Sequence, residues 1–96
     1  MGIGEILGAK RKRILQAAAK RGARNVRVFG SVARGDATKR SDVDFLVEMQ
    51  QGRTLVDLVG LTQELETILN RKVDIVTVGG LSPYLRRAIT SQAIPL

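Results

Sequence analysis

The apolar positions of this chain fall into two rhythms that alternate from end to end. Residues 3 to 21 carry Ile6, Leu7, Ile14, Leu15 and Ala17-Ala18-Ala19 at helical spacing, and Gly22 is a natural stop, so one helix is predicted there. Asn25-Val26-Arg27-Val28-Phe29-Gly30 then alternates as a strand does. A short helical turn is expected over 32–35 and a polar loop over 36–41. A second strand, 42–49, places Asp42, Asp44 and Leu46 on one face and Val43, Phe45 and Val47 on the other. Beyond Gln50-Gln51-Gly52, Thr54 can cap a helix over 55–70, with Leu55, Leu58, Val59, Leu65, Ile68 and Leu69 as its buried stripe. Lys72 to Val78 reads as a third strand ended by Gly79-Gly80, and Ser82-Pro83 opens a last helix over 83–92. Pro95 is expected in an irregular tail. No repeat, low-complexity segment or linker interrupts this order.

Strands separated by helices predict an α/β (α+β) fold with a small mixed sheet. Ninety-six residues suffice for one domain, 1–96, with one modest core. The composition, 44% apolar and 26% charged, is that of a folded soluble protein. No stretch approaches the roughly 20 apolar residues of a membrane helix. The N-terminus does not read as a signal peptide, and Ile6 stands where a myristoylation signal needs Ser or Thr. A cytoplasmic location is expected. The net charge of +7, from 16 Lys and Arg against nine Asp and Glu, favours a polyanion, a nucleotide or an acidic protein as partner.

With no cysteine and no histidine, the chain has no disulfide framework, no thiolate zinc site and no imidazole base. Acid–base or metal chemistry falls to carboxylates. Gly30-Ser31, ten residues, then Asp42-Val43-Asp44 is the pattern that answers this description. Gly30 lets the backbone turn sharply beside a phosphate, and the Ser31 hydroxyl with the following N–H groups can donate to phosphate oxygens. Asp42 and Asp44, two apart on a strand, project from one face and repel each other unless a cation sits between them. A hard cation that accompanies phosphates means Mg²⁺ first and Mn²⁺ second. Asp74, alone in an apolar strand, is either a third ligand from a neighbouring strand, a salt-bridge partner of Arg71 or Lys72, or an exposed strand end.

The segment Gly30 to Val47 resembles the signature of the DNA polymerase β-like nucleotidyltransferases, and most of all their smallest prokaryotic members, the minimal nucleotidyltransferases. The resemblance implies a short sheet with helices packed on one side. It implies a Mg²⁺-dependent transfer of AMP from ATP, or of another nucleoside monophosphate from its triphosphate, to a hydroxyl. Asp42, Asp44 and Asp74 would be the catalytic and metal-binding acids for two ions. Gly30 and Ser31 would take the β- and γ-phosphates, and Arg34 matches a position commonly Arg in the minimal family. Lys39, Arg40 and Asp36 read as loop charges, Ser41 as support for the turn into Asp42, and Tyr84 as a packing residue.

Larger relatives add a helical domain, and none is expected within these 96 residues. In the minimal family the usual partner is a small helical HEPN protein, an RNase toxin, which the nucleotidyltransferase neutralises as antitoxin in a hetero-oligomer. A non-catalytic module that blocks its partner by contact is the alternative. Nucleic acid as acceptor is a weaker one, because 3% aromatic content offers no base-stacking platform. The basic run Lys10 to Arg13 wraps a full helical turn and reads as solvated surface.

Overall fold

The computed structural model describes residues 1–96. Its elements are α1 (Ile3–Leu7), a 3₁₀ turn (Gly8–Lys10), α2 (Arg11–Lys20), β1 (Ala23–Phe29), α3 (Gly30–Arg34), β2 (Val43–Met49), α4 (Leu55–Leu69), β3 (Val73–Thr77), a second 3₁₀ turn (Val78–Gly80), α5 (Pro83–Gln92) and β4 (Ile94–Pro95). The four strands form one sheet in the order β3-β2-β1-β4. β1 runs antiparallel to both β2 and β4, and β2 runs parallel to β3. A mixed sheet with interleaved helices is the fold expected.

The core lies on the face that α2 and α4 cover. Val43, Phe45 and Val47 point into it from β2 and meet Val26 and Val28 of β1 and Val73 of β3. Leu7, Ile14, Ala17 and Ala18 enter from the first helices, and Leu61, Leu65, Ile68 and Leu69 from α4. Leu46 is also fully buried, yet it stands outside this cluster, as its place on the opposite face requires.

Four expectations are corrected. The single helix over 3–21 is broken into α1 and α2 by a 3₁₀ turn at Gly8–Lys10, where Gly8 has low helix propensity. β1 begins at Ala23 rather than residue 25. The pairing register shifts between Arg24 and Arg27, and Asn25 sits there in the left-handed conformation (φ 52°). This bulge hides the start of the strand from a period-two reading. The tail is not irregular: Ile94 and Pro95 pair with Val28 and Arg27, and the Leu96 amide donates to the Val26 carbonyl at 3.0 Å. Pro95 is tolerated there because β4 is an edge strand.

The stripe on α4 is the fourth. Leu65, Ile68 and Leu69 are buried with Leu61, but Leu55 and Val59 are exposed, as is Val56. At 1.5 Å per residue, α4 is about 22 Å long against about 15 Å for α2 beside it, so its first turns run past the partner that would cover them. Two surface readings also change. Lys10 and Arg11 are tied down, Lys10 Nζ to the Ile68 carbonyl (2.8 Å) and Arg11 Nε to the Leu96 carbonyl (2.7 Å). Tyr84 is not a buried packing residue: it is 85% exposed.

Candidate active site

The site is assembled where β1 ends, β2 begins and β3 runs alongside. Phe29 pairs with Asp44, and Asp44 pairs with Asp74, so one row across three strands carries two carboxylates side by side. Directly paired residues share a face, and parallel neighbours lie about 4.8 Å apart. Asp42, two residues before Asp44, belongs to the same face but sits just outside the strand, exposed to solvent. Asp74 is exposed as well, and Asp44 is half-buried. No ion pair joins Asp74 to Arg71 or Lys72, which removes that alternative for it.

Gly30 explains why the motif needs a glycine. Its φ of 73° is in the region where a Cβ is disfavoured, and a Cβ built there would fall on the Asp44 carboxylate, 3.2 Å from Cγ and well inside contact of Oδ2. The turn therefore lies against Asp44, and α3 starts from it with Ser31 as its second residue. Arg34, in the last turn of α3, pairs with Asp36 (Nε–Oδ2 3.4 Å) on the surface.

The electrostatics tie these groups together. Burial pushes the Asp44 carboxyl above the usual aspartate range, and the negative charges of Asp74 and then Asp42 push it in the same direction, while Arg34 opposes them. Three residues singled out in the sequence, Asp74, Asp42 and Arg34, are thus near enough to act on Asp44. As placed, no three acidic side chains close around a common point. A Mg²⁺ ion would therefore take one or two carboxylates at a time and complete its shell with phosphate oxygens and water, the usual manner of binding for this ion. The oxygen-only donor set, the mutual repulsion that a cation would relieve and the missing Cβ at Gly30 all fit such an ion beside a triphosphate.

A family model for the nucleotidyltransferase domain matches residues 11–96. The chain belongs to that family. Among relatives of this nucleotidyltransferase, a Methanocaldococcus jannaschii protein provisionally named a protein adenylyltransferase is 37% identical over 98% of this chain and 97% of its own. The protein adenylyltransferase MntA of Thermococcus cleftensis is 32% identical over 96% of this chain and 90% of its own. A solved structure provisionally described as a minimal nucleotidyltransferase superposes with a TM-score of 0.89 at 49% identity, covering 100% of this chain and 97% of the other. A toxin–antitoxin crystal structure with AMP-PNP shares the fold, with a TM-score of 0.78 at 22% identity over 90% of this chain and 71% of that one. No helix of the nucleotidyltransferase is long and apolar enough to cross a membrane.

One contact beside the site escaped the sequence reading. Arg71 Nη1 donates to the backbone carbonyls of Thr38 (2.8 Å) and Ser41 (3.1 Å). A basic residue between the end of a helix and a strand carries no pattern that names so distant a target.

Proposed function

We propose that this nucleotidyltransferase moves AMP from ATP to a hydroxyl on a partner protein, and that the partner is a HEPN RNase toxin that it neutralises as an antitoxin. The observation that carries the reading is the Phe29–Asp44–Asp74 row, with Gly30 turned against Asp44 and a like-charge strain on that carboxyl which a cation would relieve. The naming of full-length relatives as protein adenylyltransferases supports the acceptor class, and the toxin–antitoxin structures of the same fold support the setting.

Asp42 and Asp44 would hold Mg²⁺ against the triphosphate, with Asp74 completing the acceptor side. Bound Mg²⁺ supplies charge neutralisation of the phosphates and a lowered pKa for the acceptor hydroxyl. Gly30 and Ser31 orient the β- and γ-phosphates, and Arg34 adds positive charge beside them. Asp74 accepts the proton of the acceptor hydroxyl as its oxygen forms a bond to the α-phosphorus. The α–β phosphoanhydride bond breaks and pyrophosphate leaves. The chain's contribution is orientation and charge placement.

The test is transfer of label from α-labelled ATP with Mg²⁺, with and without a co-encoded HEPN protein, alongside Asp42→Asn and Asp74→Asn. Label on the partner, lost in both variants, is the expected result. A tight complex with no label on either protein overturns the enzymatic reading and leaves neutralisation by contact.

A further inference from the structure

The loop that joins the two halves of the motif is held in place from outside. Within it, the Thr38 amide donates to Ser41 Oγ (2.8 Å), the Arg40 amide to Thr38 Oγ1 (3.3 Å), and the Ser41 amide to the Thr38 carbonyl (3.2 Å). These bonds close a four-residue turn whose next residue is Asp42. The carbonyls of Thr38 and Ser41 both receive the same guanidinium nitrogen of Arg71, at 2.8 and 3.1 Å. Arg71 forms no ion pair with any acid, so these two carbonyls are what its charge is spent on.

Arg71 itself is anchored to the strand that carries Asp74. Asn70 ends α4 in the left-handed conformation and Arg71 follows it directly. The Val43 amide donates to the Lys72 carbonyl at 3.0 Å, and the Val73 amide to Glu66 Oε2 at 3.0 Å. Backbone hydrogen bonds thus continue the β2–β3 pairing up to the residue after Asp42. Across the remaining gap, from Ser41 back to Thr38, the Arg71 guanidinium is the link between the two strands' approaches. A charged donor to two carbonyls is stronger and more directional than a neutral one.

We propose that Arg71 is a positioning residue for the transfer reaction: by bridging the Thr38–Ser41 turn to the start of β3, it sets Asp42 relative to Asp74. This rests on the carboxylate roles proposed above and adds to them how the exposed member of the set is held. Asp44 needs no such device, because the sheet holds it on both sides. Asp42 lies outside β2, and its approach is fixed by this turn.

The experiment pairs Arg71→Met, which keeps the stem and removes the donors, with Arg71→Lys, which keeps the charge and a donor. Amide hydrogen exchange in the metal-free protein is read at Ser41, with Leu65 as a core reference. Arg71→Met is expected to raise exchange at Ser41 on the order of tenfold, as loss of one charge-assisted hydrogen bond would, with Leu65 unchanged and Arg71→Lys intermediate. In the transfer assay, the Mg²⁺ concentration for half-maximal rate is expected to rise about fivefold to tenfold in Arg71→Met, with KM for ATP unchanged and partial rescue by Lys, because misplacement of one ligand weakens the ion and leaves the phosphate turn intact. Unchanged exchange at Ser41 overturns the bridge itself, whether or not the protein transfers AMP. Faster exchange with an unchanged Mg²⁺ requirement overturns the positioning role. If Arg71→Met fails to fold, Arg71→Lys decides on the same two readouts.

Discussion

Gly30→Ala isolates what the motif glycine does. A residue with a Cβ at φ 73° carries about 1–2 kcal/mol of backbone strain. In a domain of this size each kcal/mol lowers the melting temperature by about 4–8 °C, so strain alone accounts for a fall of roughly 5–15 °C. The second effect is local. The new Cβ meets the Asp44 carboxylate, whereas Asp44 Cβ at 3.5 Å is an ordinary contact, so the backbone of β2 can stay while the carboxyl group swings away. Displacement of a positioned group by about 1 Å costs on the order of 100-fold in rate. Gly35→Ala is the matched control: its φ is 85°, but a Cβ there has nothing within 4 Å. Thermal unfolding of both variants with label transfer from α-labelled ATP separates the effects. Both should melt lower by similar amounts, and only Gly30→Ala should lose transfer on the order of 100-fold. Gly30→Ala transferring within threefold of Gly35→Ala would refute the close approach as the reason for the glycine.

Three further outcomes follow from the same geometry. The Asp44 carboxyl binds its proton more tightly in the fold than in the unfolded chain, so its ionisation subtracts stability as pH rises from its ordinary value of 3.8 through the raised one. Asp44→Asn should therefore melt higher than the parent in metal-free buffer at pH 7, with the advantage vanishing towards pH 3, and it should abolish transfer. Differential scanning calorimetry across that range checks the sign. Phe45→Ala removes the largest fully buried side chain and should cost about 3–5 kcal/mol in urea unfolding with a cavity left behind. Lys20→Ala breaks a surface pair with Glu64 at 3.4 Å and should change stability by less than about 1 kcal/mol in the same assay.

The parts of the fold visible in the sequence are those where one residue's chemistry answers to its own neighbours. The alternation Val43-Asp44-Phe45 declared a strand with a wet and a dry face, and Ser82-Pro83 declared a helix start whose hydroxyl does cap Leu85. Gly30 and the acids were legible because turn, anion and like-charge requirements are local. What stayed hidden depends on distant residues. Asn25 bulges because the register with β2 shifts, β4 is a strand only because β1 offers it an edge, and Leu55 is exposed because α2 is shorter than α4. Arg71 reaches over thirty residues back along the chain to Thr38, and nothing beside it announces the contact.

The place of β3 at the border of the sheet has a consequence for the protein in solution. A border strand shows unsatisfied N–H and C=O groups to any passing chain, and Val73, Ile75 and Val76 would make this one a welcoming template for intermolecular β-pairing. The exposed charge of Asp74, second residue of that strand, opposes such stacking, so the carboxylate proposed for chemistry is also a gatekeeper against aggregation. Neutralising it removes both roles at once. An inactive Asp74→Asn preparation would then be one that precipitates more readily than its Asp42→Asn counterpart, and light scattering at matched concentration would tell the two losses apart.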